Sequence, residues 1–166
     1  DSFIFHGRIE PFLQYDYIGA PWDKRYYINK NNVGNGGFSL RTRKKMIECL
    51  EQLPPRELKV STRISWEINR FKRNLPPEDV YFSSALVELE LGSVAPYEVA
   101  MKFSQEQVLG NNPLGGHRWW LAGNLTTRSR LKYNFDSILE EDYYQDYISG
   151  DDLITYLDIN YPKHLN

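Results

Sequence analysis

The sequence predicts a mixed α/β domain, and three observations carry that reading. Residues 15–20 (YDYIGA) alternate aromatic and polar side chains with the two-residue period of a half-buried strand. In residues 42–52 and just beyond, Met46, Ile47, Leu50 and Leu53 fall on one helical face. Pro76-Pro77-Glu78-Asp79 is a helix start, with prolines at the first positions and acids in the first turn. A chain of 166 residues is long enough for one domain with a single sizeable core. Short strands and uneven connections set it apart from a complete doubly wound unit.

Taken in order, residues 2–5 (SFIF) read as a short strand, and 15–20 as the next, broken by Pro21-Trp22. Residues 23–36 are loop-like, rich in Asn, Lys and Gly. Residues 38–40 form a short strand or turn into the helix over 42–52, which Pro54-Pro55 ends. A second helix spans 62–73, with Ile64, Ile68 and Phe71 together, and the helix opened by the Pro76 pair continues through 86. Residues 94–103 read as strand with loop and 111–116 as turn. In the tail, 136–147 and 151–157 are helical.

The apolar set is weighted towards aromatics, with 12 Tyr, 8 Phe and 4 Trp, which suits either a core or a sugar or partner surface. No apolar run approaches the roughly 18 residues of a membrane span. The chain opens DSFIFHGRIE, without Met or a signal-peptide pattern, as a cut-out domain or a processed piece would. A lone Cys49 excludes an internal disulfide, and three scattered histidines exclude a Cys/His zinc cluster. A reducing, cytoplasmic compartment is the expectation. Asn124-Leu125-Thr126 fits a glycosylation sequon.

Net charge is only −2, yet residues 30–74 hold eleven Lys/Arg against four acids, while 135–166 hold eight acids and one Lys. The basic third either attracts an anion such as a phosphate, lies against the acidic tail, or is a solvated face. Nucleic acid is not an expected partner, because no binding motif or overall basic charge accompanies it.

Three stretches hold residues suited to chemistry. In NVGNGGFSLR (32–41), the glycines serve either a tight turn or the close approach of a ligand to the backbone. Arg41, Arg43, Lys44 and Lys45 then crowd a helix start, where positive charge is unfavourable unless acids or a bound anion offset it. The spacing is not that of a P-loop. Glu78 and Asp79 either complement the helix dipole or present a general base on a rigid helix start. In PLGGHRWW (113–120), His117 is expected to be exposed and able to bind metal or phosphate, or else to be an ordinary hydrogen-bonded residue. The Trp pair stacks on a sugar or nucleotide ring, or forms part of the core.

Taken together, Asp1-Ser2-Phe3, YDYIGAPW (15–22), VGNGGFSLRTRKKM (33–46), PEDVYFSSAL (77–86), the Phe103-Ser104 step and PLGGHRWW (113–120) resemble a family of GT-A-type glycosyltransferase-like domains of mostly unassigned activity. More distantly they are similar to β-1,3-galactosyltransferase-type enzymes. The resemblance implies an α/β GT-A-like nucleotide-diphospho-sugar transferase fold, here its acceptor-side (C-terminal) part over residues 1–123, with 124–166 as an acidic, aromatic-rich helical tail packed on it. It implies a nucleotide-sugar donor, a glycan or protein acceptor, and a divalent metal, Mn or Mg. Asp79 would be the catalytic base, with Glu78 beside it. Trp22, Asn35, Gly36, Gly37, Arg41, Arg43 and Trp119 would bind substrate, and Asp1 and His117 would hold the metal. The alternative is a non-catalytic carbohydrate-binding or interaction module derived from such an enzyme.

Overall fold

The computed structural model describes residues 2–5, 7–25, 27–70 and 73–119. Asp1, Phe71, the tail with its two expected helices, and the sequon at Asn124 lie outside the described residues. What is described is a mixed α/β arrangement. Strands β1 (Ser2–Ile4), β2 (Tyr17–Pro21) and β3 (Val33–Arg41) come first, then helices α1 (Arg43–Gln52), α2 (Thr62–Arg70), α3 (Glu78–Glu88) and α4 (Tyr97–Phe103). Two short strands follow, β4 (Ser104–Gln105) and β5 (Gly115–His117). No helix among the described residues is long and apolar enough to cross a membrane.

The strands form two small sheets. In one the order is β1-β5-β4, with β5 antiparallel to β1 and parallel to β4. In the other, β2 and β3 are antiparallel, and Val94 adds a parallel bridge beside Tyr17. Apolar residues of β2, β3, α1, α3 and α4 meet in the main core around Tyr17, Ile18, Val33, Cys49, Leu86 and Phe103. Burying an aliphatic side chain as completely as Ile18 or Leu86 contributes about 1.5–3 kcal/mol each.

Several expectations are corrected. β2 is buried along its whole length rather than on alternate residues, because α4 packs against it as well as the main core. The glycine-rich stretch is strand, not loop: β3 begins at Val33 and runs through Gly34, Gly36 and Gly37. Its pairing is irregular, since Leu40 faces Ile18 and Asn35 faces Ala20, so residues 36–39 lie opposite Gly19 alone. The strand bulges there, as extra residues on one side of an antiparallel pair require. Residues 97–103 are helix, not strand, because Pro96 at the N-cap leads into a turn that buries Ala100 and Phe103 three apart. Residues 115 and 116 of the expected turn belong to strand β5.

Helix α1 keeps nearly its expected length but not its expected face. Met46 and Cys49 are buried, while Ile47 and Leu50 are 41% and 47% exposed. Its basic first turn contains no acid. Glu48 offsets that charge, 2.8 Å from Lys45 and 3.9 Å from Lys44. Asp16 adds a neighbouring negative charge: burial raises its carboxyl, but hydrogen bonds from Ser93 and Thr42 outweigh this and hold it below the usual range.

Tyr17 ties the core to the bulged strand. Its buried hydroxyl donates to the Gly34 carbonyl at 2.7 Å, and burial pushes its ionisation well up, so it stays a donor. Tyr17→Phe should lower stability by about 1 kcal/mol. The check is a urea titration, which should show a lower midpoint with an unchanged slope.

Candidate functional site

Asp79 sits in the first turn of α3, after Pro77 at the N-cap. That turn packs against the bulge of β3. The Gly36 N–H donates to Asp79 Oδ2 at 3.2 Å, and the Val80 N–H donates to Oδ1 at 2.8 Å. Burial is the main influence on the carboxyl and lifts it above the usual range; the Val80 N–H opposes this, Glu78 adds to it, and the Gly36 N–H and Arg41 oppose it. A half-buried carboxylate with two backbone donors and a raised affinity for protons is suited to taking one from a bound hydroxyl.

The glycines of β3 make room for neighbouring side chains. At Gly36, an added Cβ would sit 2.8 Å from Asp79 Cβ and 2.5 Å from an Arg41 guanidinium nitrogen. At Gly37 it would run into the His117 imidazole. The space that side chains would fill is therefore taken by Asp79, Arg41 and His117. A glycine-rich strand lets these three approach one backbone segment.

Glu78 and Asp79 diverge. The Glu78 side chain is 62% exposed and its Oε1 accepts from Arg41 at 3.0 Å. Arg41 lies at the end of β3, not in the helix. Its guanidinium stands 5.0 Å from the Tyr17 ring centre and 5.9 Å from that of Phe82, and its Nε donates to Ser39 at 3.1 Å. Arg43 lies apart from this cluster, exposed with Lys44, Ile47 and Glu51 along a shallow surface depression on α1.

A cleft of about 260 Å³ opens beside Asp79. Among its lining residues are Trp22, Asn35, Pro77, Val80 and Glu106. Trp22 packs with Ile64 and Val80 in a second apolar cluster and is 6% exposed, so it forms a wall rather than a free stacking platform. Its place is set by loop amides: the Trp22 N–H donates to the Asn32 carbonyl and Asn32 Nδ2 to the Trp22 carbonyl, each at 3.0 Å. Asn35 is buried and lines the cleft, whereas Gly36 and Gly37 do not. Trp119, expected to bind substrate, is fully buried, edge-on to Phe5 with ring centres 5.4 Å apart, and belongs to the core.

His117 is less exposed than expected, at 20% of its side chain, and its Nδ1 lies 3.1 Å from Glu106 Oε2. Glu106 has no place in the sequence reading, because no motif surrounds it. Only the parallel pairing of Gln105 with Gly116 brings it beside His117. Among the described residues no group of three or more His, Cys, Asp or Glu side chains could hold a metal ion. The described residues near His117 thus supply two donors, and the other expected ligand, Asp1, is outside them.

A family model described as "Protein of unknown function (DUF5672)" matches residues 1–117. No curated protein and no solved structure matches the chain.

Proposed function

The chain belongs to the DUF5672 family, and from the chemistry of its cleft we propose that it is the acceptor-side part of a GT-A-like glycosyltransferase. It would transfer a sugar from a nucleotide-sugar donor to a glycan or protein hydroxyl. The observation that carries this reading is Asp79: a carboxylate on a rigid helix start, lifted by burial, lining a cleft with Trp22 and Asn35.

In the inverting form of this reaction, Asp79 takes the proton of the acceptor hydroxyl as its oxygen bonds to the anomeric carbon. The bond from that carbon to the donor's phosphate oxygen breaks, and the electron pair leaves on the nucleoside diphosphate. The Gly36 and Val80 N–H groups keep the carboxylate oriented through this step. Arg41 is the cation proposed to favour the diphosphate, since charge develops there in the transition state. A divalent metal bound beside His117 would neutralise the same charge; of its two expected ligands, His117 is among the described residues and Asp1 is not.

The test is titration calorimetry with a panel of nucleotide sugars and free diphosphates, with and without Mn²⁺, followed by turnover assays on any that bind. Binding of one nucleotide with transfer supports the proposal. Glycan binding with no nucleotide binding under either condition replaces it with the non-catalytic carbohydrate module. Within this reading, Arg41→Ala should weaken nucleoside diphosphate binding about three- to tenfold, with a shallower dependence on salt. Unchanged affinity removes Arg41 from the donor site.

A further inference from the structure

We propose that Glu106 makes the cleft selective for a neutral or amino-bearing sugar ring and against an acidic one. The inference rests on the transferase reading for the ligand being a sugar, and it names the class of sugar that the Asp79 cleft accepts.

Size sets the first limit. Small-molecule sites commonly span about 300–1,000 Å³, and this cleft, at about 260 Å³, has room for a single ring. Its polar lining sets the second. Asp79, Glu106 and Asn35 all line this volume. An ionised carboxylate only accepts hydrogen bonds, whereas the Asn35 amide both donates and accepts. Hydroxyl and ammonium groups satisfy such acceptors, and Val80 and the edge of Trp22 offer apolar contact for the C–H face of a ring.

A ring bearing its own carboxylate meets the opposite situation. Like charges brought together in a partly desolvated site repel, which lowers affinity by about tenfold or more. Of the charged residues that line the cleft, two are acids, Asp79 and Glu106, and one is a cation, Arg73, while Arg41 acts on Asp79 from outside the lining. Glu106 has little room to swing away, because its side chain is only 12% exposed, with Oε2 buried 3.1 Å from His117 Nδ1. That burial makes the acid a fixed feature of the site.

The experiment is a protein-detected NMR titration with a methyl hexoside, a methyl aminohexoside and a methyl hexuronide, using the wild-type chain, Glu106→Gln and Glu106→Asp. The wild type should bind the neutral and amino sugars at least about tenfold more tightly than the hexuronide. Glu106→Gln should bring that ratio below about threefold, and Glu106→Asp, which keeps the charge, should preserve it. Equal binding of the hexuronide, an unchanged ratio in Glu106→Gln, or no binding of any sugar overturns the inference. A parallel titration with nucleoside diphosphate separates it from its parent. Nucleotide binding without sugar binding defeats this inference and leaves the transferase reading standing. Sugar selectivity without nucleotide binding or transfer does the reverse.

Discussion

Asp79→Asn should abolish sugar transfer, lowering kcat by about 10²–10⁴-fold, while leaving the fold intact. The two halves of this expectation come from the same environment. Burial raises the carboxyl in the folded chain above its unfolded value. The stability linked to this group is therefore fully present below the unfolded pKa and is lost as pH rises through the folded one. At neutral pH the ionised side chain is a burden on the fold, and asparagine removes that burden. Against this, an amide oxygen accepts well from only one of the two N–H groups that Asp79 serves, at a cost of about 1 kcal/mol. The two effects oppose each other, so the melting temperature at pH 7 should move by only a few degrees. Thermal melts from pH 4 to 8 beside turnover assays check both halves. Loss of the fold in Asp79→Asn would make Asp79 a helix-start residue rather than a base.

Gly34→Ala should be the most damaging single substitution for stability, lowering it by about 3 kcal/mol or more. Gly34 has φ +142°, a conformation that side-chain-bearing residues rarely adopt. The methyl group would also sit 2.6 Å from Ser83 Cβ and 3.0 Å from the Trp22 ring. Neither neighbour can yield cheaply. Ser83 is fully buried on α3, its hydroxyl donating to the Asp79 carbonyl at 2.7 Å and accepting from Asn29 Nδ2 at 2.9 Å. Displacing Ser83 moves the helix that carries Asp79, and displacing Trp22 moves the cleft wall. Denaturant unfolding measures the effect. A loss below about 1 kcal/mol would mean that β3 is not pinned against α3 at this point.

These two residues also mark how far the sequence is readable. Pro76-Pro77-Glu78-Asp79 announced a helix start, and α3 begins there, because proline chemistry and first-turn acids act within a few residues of chain. The helix over 42–52 was legible for the same local reason, yet its buried side was not. Periodicity marks an apolar stripe, but the neighbours decide which part of it is covered, and here Met46 and Cys49 are inside while Ile47 and Leu50 are not. Helix α4 escaped because two turns are too short to show a period, and the glycine-rich first part of β3 escaped because strands dense in glycine look like loops.

By itself the sequence determined the α/β character, the starts of α1, α2 and α3, and the choice of Asp79, Trp22, Asn35 and Arg41 as residues worth watching. Only the tertiary structure decided what those residues meet. It paired Glu78 with Arg41, set Arg43 apart, put Trp119 in the core, and brought Glu106 beside His117 and into the cleft with Asp79. The physical reason is range. Caps, turns and helical faces depend on residues a few positions apart, whereas a buried carboxylate and a glycine with no room for a methyl group are made by neighbours some forty or more residues away.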